Sequence, residues 1–223
     1  MIIKLANVLN PEQQQQLKQF LAVGQFEDGR KTAGWHAQGV KQNLQWHAES
    51  EHMLDVNDWL SAQLAQHSEF TAATYPKYMA PFIISRSEQG GHYGDHIDDA
   101  LMGHEQITRS DISCTIFLSE PDSYEGGDLV MDFAGEQLKF KLPAGSAIVY
   151  PSTTLHRVEP VTAGCREVAV TWIESYIRHA SQREILFDLD QSRRDVLQQQ
   201  GKSDSFDRLT KSHANLLRMW AET

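Results

Sequence analysis

Over the first 67 residues the apolar positions recur at steps of three and four. In "PEQQQQLKQFLAV" (11–23), Leu17, Phe20 and Leu21 fall at helical spacing, Pro11 suits a first helical turn, and Asn10 can cap it. In "SEHMLDVNDWLSAQLAQH" (50–67), Met53, Val56, Leu60 and Leu64 repeat in the same way and Trp59 widens the stripe. Glutamines 13 to 16 read as the wet side of the first helix. Between Tyr78 and Ile173 the pattern changes to short β-rich runs punctuated by Gly, Pro, Asp and Ser. "FIIS", "DISCTIFLS", "GDLVMDF", "QLKFKLP", "GSAIVYP", "HRVEPV" and "EVAVTWIES" each predict a strand. Strands without intervening helices argue for an antiparallel sandwich or jelly roll rather than a βαβ fold. Past Tyr176 helical spacing returns in "QREILFDLDQSRRDVLQQQ" and "SFDRLTKSHANLLRMWAE", split at Gly201, with Ile185, Leu189, Phe206, Leu209, Leu216, Leu217 and Trp220 at helix-like intervals. The chain is therefore expected to be mostly β with flanking helices. Residues 1–176 form one domain with its β core at about 78–176, and 177–223 form a helical extension packed on it.

Composition narrows the function classes. The chain of 223 residues carries 30 acidic against 20 basic side chains, a net charge of −10, so it lacks the basic footprint of a nucleic-acid binder. "MIIKLANVLN" is too short an apolar run for a signal peptide, and nowhere do about 18 apolar residues run together, so no membrane association is expected. Cys114 and Cys165 have no CxxC spacing, and two free thiols suit a reducing, cytoplasmic location.

The chemistry concentrates in "GGHYGDHIDDA" (90–100). If this stretch is a strand, His96 and Asp98 project from one face and present an imidazole beside a carboxylate. His92 could share that face if the strand began early, although the glycines around it disfavour regular pleating. Asp99 would point away. A second histidine, His156, follows about sixty residues later beside a turn and a β-rich run. Together His96, Asp98 and His156 make a 2-His-1-carboxylate set, the pattern of non-haem Fe(II) oxygenases. Arg166, ten residues beyond, opens the last strand, where its planar fork matches a carboxylate. Open metal positions beside such an arginine point to 2-oxoglutarate as cosubstrate. Trp172 shares a strand face with Arg166 and Val168, which fits either the cosubstrate pocket or the core. Arg157 is expected on the outer face and Cys165 as an inert thiol. Tyr150 and Pro151 should shape the turn before His156, while Gly126 and Gly127 give a hairpin or a close backbone approach. The remaining histidines, His36 and His104 among them, are expected to be solvated or hydrogen-bonded.

These blocks resemble the PKHD-type hydroxylases, bacterial relatives of prolyl 4-hydroxylase within the Fe(II)/2-oxoglutarate dioxygenases. The resemblance lies in "DGRKTAG" (28–34), "VKQN" (40–43), "YGDHIDDA" (93–100), "YEGGDLVM" (124–131) and "YPSTTLHRVEPVTAGCREVAVTWIES" (150–175). It implies a double-stranded β-helix (jelly roll, cupin-like) core, iron at His96, Asp98 and His156, and 2-oxoglutarate at Arg166. It further implies O2 as oxidant, ascorbate as reductant, and hydroxylation of a small-molecule or peptidyl substrate. Where the family often reads Arg-Tyr ahead of the HxD, this chain has Arg86 and Ser87, which removes an aromatic contact near the cosubstrate. Two rival readings differ in class: a non-catalytic jelly-roll metal or 2-oxoglutarate sensor, and an interaction module whose C-terminal apolar stripe pairs two subunits as a homodimer. "LMGHEQITRSD" (101–111) is long and polar enough for a substrate loop.

Overall fold

The computed structural model describes residues 1–32, 38–103, 107–133 and 135–223. Two antiparallel sheets form its centre. The larger has eight strands. In spatial order Ile3–Leu5, Ala147–Pro151, Ile112–Phe117, Arg166–Ser175, Ile83–Ser87, Leu44–His47 and Gln25–Asp28 lie side by side, and Pro76–Met79 also pairs with Arg166–Ser175. The smaller runs Glu136–Phe140, Leu129–Phe133, His156–Val158, His92–His96 and Lys41–Gln42. The chain crosses repeatedly from one sheet to the other, as a jelly roll does.

Alternation along the larger sheet explains its long apolar runs, because both of its faces are covered. Ile112, Cys114 and Ile116 turn outward with Val149, Ala169 and Ile173 and pack beneath Leu17, Val56, Leu60, Leu64 and Phe70 of the N-terminal helices. Phe117, Ile148, Tyr150 and Val168 turn inward and meet Leu129, Met131 and Phe140 of the smaller sheet. The space between the sheets is therefore apolar at one end. Toward the other, the inward positions become Ser113, Thr115 and Arg166, and the site lies there.

All seven predicted strands form, with one correction. "HRVEPV" is two strands, because Pro160 has no amide proton to continue a ladder. His156–Val158 belongs to the smaller sheet, whereas Val161–Gly164 pairs with Tyr124–Gly126 in a separate ribbon. The N-terminal helices span Pro11–Leu21 and Ser50–Gln66. Asn10 caps the first, accepting from the Gln13 amide while the Gln13 side chain accepts from the Asn10 amide. A further short helix, Ser68–Thr74, and the N-terminal strands were not expected.

The C-terminal helices Ala180–Gln200 and Asp204–Trp220 form a hairpin. Its first helix packs on Ser68–Thr74. Ile185 is exposed, and the buried face is Arg183, Leu186 and Asp190, so the expected stripe was displaced by one residue. Polar contacts fasten the hairpin: the Tyr75 hydroxyl lies 2.8 Å from His213 Nε2, and Arg109 pairs with Glu222 at 3.4 Å. Among the described residues no helix is long and apolar enough to cross a membrane.

Candidate metal centre

His96 is the last residue of the strand His92–His96, and His156 is the first of His156–Val158. The two strands pair with these residues directly opposite each other, which brings the rings to 4.2 Å between centroids. Asp98 lies beyond the strand end, a departure from the expected strand register. It still reaches the same point. One ligand atom from each of His96, Asp98 and His156 lies within 4.8 Å of the others, and no other such cluster occurs among the described residues.

Both imidazoles are set for metal binding by their own backbone. His96 Nδ1 is 2.8 Å from the Gly94 carbonyl, and His156 Nδ1 is 2.9 Å from the Thr154 carbonyl. A carbonyl only accepts, so the ring proton sits on Nδ1 and the Nε2 lone pair is left for a metal. Burial, followed by the neighbouring His156, pushes the His96 imidazole down to about 4, so it is neutral at pH 7. Tyr93 stacks on the His96 ring at 3.6 Å, and Tyr150 meets His156 edge-on.

A cavity of about 90 Å³ extends from these ligands between the sheets, lined by Arg166, Thr115, Tyr150, Leu129 and Trp172 among others. Arg166 is 3 % exposed and its Nε has no hydrogen-bond partner. Burial lowers its pKa, although Tyr124 and Tyr150 beside it favour the charged form. A buried cation with an unused donor fits an anionic ligand. Gly127 allows its close packing: at φ +67° a Cβ there would stand 3.0 Å from Arg166 Cδ. Ser87 pairs with Arg166 in the ladder and also lines the cavity.

Other expectations sort clearly. Trp172 lines the cavity, and its buried Nε1 has no partner. Tyr150 does more than shape a turn, since its ring borders the cavity. His92 lies on the cavity wall outside the ligand cluster, its Nδ1 3.0 Å from the Gly90 carbonyl. Arg157 points outward to Gln137 and Asp95. Burial raises the Cys165 thiol, consistent with inertness. His52, His67 and His213 are hydrogen-bonded, whereas His36 and His104 lie outside the described residues. The proposed substrate loop contains paired strands Leu101–Met102 and Thr108–Arg109, and its residues 104–106 also lie outside.

Among the cavity residues that the sequence does not single out, one is a cation. Lys41 is 7 % exposed, lines the cavity, and holds its Nζ 5.2 Å from the Tyr93 ring centroid. Burial pulls its ammonium down to about 8, against the attraction of Asp98. A more open groove of about 610 Å³ adjoins the cavity and shares Lys41, Asn43 and His92 with it.

The profile of the 2OG-Fe(II) oxygenase superfamily matches residues 82–174, and that of the PKHD-type hydroxylase C-terminal domain matches residues 181–222. A PKHD-type hydroxylase of Colwellia psychrerythraea is 58% identical over 223 residues, covering 100% of both chains. The chain belongs to the PKHD-type hydroxylase family. A second relative, the PKHD-type hydroxylase of Acaryochloris marina, is 46% identical over 222 residues, again covering 100% of both chains. Membership makes the chain an enzyme of the 2OG-Fe(II) oxygenase superfamily and implies Fe(II) and 2-oxoglutarate. Among solved structures, a 2OG-Fe(II) oxygenase family oxidoreductase from Burkholderia pseudomallei aligns with a TM-score of 0.61 at 17% identity, covering 80% of this chain and 86% of that one. A Pseudomonas putida prolyl-4-hydroxylase aligns at 0.51 and 17% identity, covering 78% and 92%. Both likenesses concern the jelly-roll fold.

Proposed function

We propose that the chain hydroxylates a small-molecule or peptidyl acceptor while 2-oxoglutarate is oxidatively decarboxylated to succinate and CO2, with His96, Asp98 and His156 holding Fe(II) and Arg166 holding 2-oxoglutarate. The observation that carries this reading is one cavity in which two imidazoles with free Nε2 atoms and a carboxylate converge, with a buried arginine facing the same space. Fe(II), when bound, supplies the redox chemistry that divides O2 between the two organic substrates. The protein's share is ligation and placement. His96, Asp98 and His156 provide three donors and leave positions open for cosubstrate. Arg166 pairs with the far carboxylate and fixes which end of the acid faces the metal. The apolar wall of Leu129, Val158 and Val168 excludes water. The adjoining groove gives the acceptor access, and ascorbate would serve as the reductant. In this reading residues 1–176 carry the catalytic unit and 177–223 are an appended helical buttress.

Metal exchange tests the proposal. Zn(II) accepts imidazole and carboxylate ligands but has no redox chemistry. Zinc-loaded protein is expected to bind 2-oxoglutarate and release no succinate, while the iron form releases it in the presence of O2. Equal succinate from iron-free, zinc-replete protein would refute the assignment, and no succinate from either form would favour a sensor.

A further inference from the structure

Asp98 is the one proposed ligand that the sheet does not orient. Its strand ends at His96, so no ladder fixes the backbone at Asp98, and the next side chain back, Ile97, faces solvent. The larger sheet holds this segment instead. Ser113 Oγ donates to Asp98 Oδ2 at 2.5 Å, and Ser113 Oγ and Ser152 Oγ are 2.8 Å apart. Ser113 has a single hydroxyl proton. With that proton given to an acceptor-only carboxylate, Ser113 must accept from Ser152, so the relay runs from Ser152 through Ser113 to Asp98. The serines are 0 % and 2 % exposed, so bulk water does not compete for either hydroxyl. Ser110 completes the attachment, its hydroxyl donating to the Asp99 carbonyl and its amide to the Ala100 carbonyl.

We propose that Ser113, backed by Ser152, is a positioning residue for the metal centre, holding the Asp98 carboxylate in the orientation that completes the set with His96 and His156. The inference rests on Asp98 being a ligand. A carboxylate beyond a strand end turns readily about its last side-chain bond, and a charge-assisted hydrogen bond from a buried hydroxyl removes that freedom. Oδ2 also lies 4.0 Å from His156 Nε2, so the tethered oxygen is the one nearest a second donor. Loss of such outer partners typically weakens metal binding by roughly ten- to a hundredfold.

The test is Co(II) binding to the metal-free full-length chain without cosubstrate, followed by titration and by the ligand-field absorption of the bound ion. Apo-protein melting temperatures are measured alongside. Ser113→Ala is expected to weaken Co(II) about ten- to a hundredfold and to change the shape of the absorption band, which reports ligand geometry. Ser113→Thr, which keeps the hydroxyl, is expected to restore both. Ser152→Ala should give a smaller loss in the same direction. It also decides the matter if Ser113→Ala does not fold. Wild-type affinity and band shape in Ser113→Ala, or in Ser152→Ala if the former does not fold, would overturn the relay provided Asp98→Ala has lost the metal. A lowered melting temperature alone would assign the serines a structural role only. Wild-type Co(II) binding by Asp98→Ala would instead remove the ligand assignment, and the relay with it.

Discussion

Replacing any one of His96, Asp98 or His156 by alanine is expected to abolish Fe(II) binding and 2-oxoglutarate turnover while the fold survives. A facial set has only three protein donors, and two cannot compete with water for the ion. His96 and His156 sit at strand ends and Asp98 beyond one, and none of the three belongs to either apolar core cluster, so truncation leaves those clusters intact. Anaerobic Fe(II) titration, with circular dichroism as the folding control, reads the outcome. His92→Ala is the internal control, since His92 lines the same cavity outside the ligand cluster and should keep the iron. Iron retained by Asp98→Ala but lost by His92→Ala would move the site to a different set of donors.

The second large effect concerns Arg166, because it probes the cosubstrate and not the metal. If its guanidinium meets the far carboxylate of 2-oxoglutarate, then 2-oxobutyrate, which lacks that group, should bind the anaerobic iron form more weakly. A charge-assisted hydrogen bond contributes about 1.5 to 3 kcal/mol, which corresponds to roughly ten- to a hundredfold discrimination. Arg166→Ala should erase most of it. Arg166→Lys should retain part, since lysine keeps the charge and loses the planar fork. Two other cations are already committed elsewhere. Arg86 pairs with Glu167 at 2.6 Å and stacks on Phe26, and Lys141 donates to the Tyr124 carbonyl at 2.7 Å. Undiminished discrimination in Arg166→Ala would overturn the assignment of the carboxylate to Arg166 and make Lys41, the other cation on the cavity wall, the next residue to substitute.

The seven runs read as strands were legible because apolar, β-branched and aromatic residues dominate them, as in Ile112–Phe117. Gln25–Asp28, Lys41–Gln42 and Leu44–His47 are short, carry Gln, Glu, Asp, Lys and His, and have no β-branched side chain, so nothing local marks them as strands. They form because the sheets offer edges to pair with. Lys41 is drawn into the cavity by its pairing with Tyr93, a contact that spans fifty residues of chain. His96, Asp98, His156 and Arg166 stood out in the sequence because their residue types suit metal and carboxylate binding, and the fold does bring the first three together. Asp98 joins the cluster by a geometry other than the one its spacing suggested. Strand alternation was to place it beside His96, whereas hydrogen bonds from Ser110 and Ser113 do so beyond the strand end. Serines 110, 113 and 152 carry no signal in the sequence, since a serine in or beside a strand is commonplace and its partner is fixed only by the fold. Similarly, Ile185 and Leu186 are adjacent and both apolar, and only the docking against Ser68–Thr74 decides which of them is buried.

One atom of O2 is expected to enter succinate when 2-oxoglutarate is decarboxylated at the site formed by His96, Asp98 and His156. Isotope tracing tests it most directly: the iron-loaded protein is given 2-oxoglutarate under an atmosphere of ¹⁸O2, and the succinate is weighed by mass spectrometry. The expected product is succinate carrying one labelled oxygen, formed by wild type and absent from Asp98→Ala. Unlabelled succinate, or labelled succinate made equally by Asp98→Ala, would contradict it.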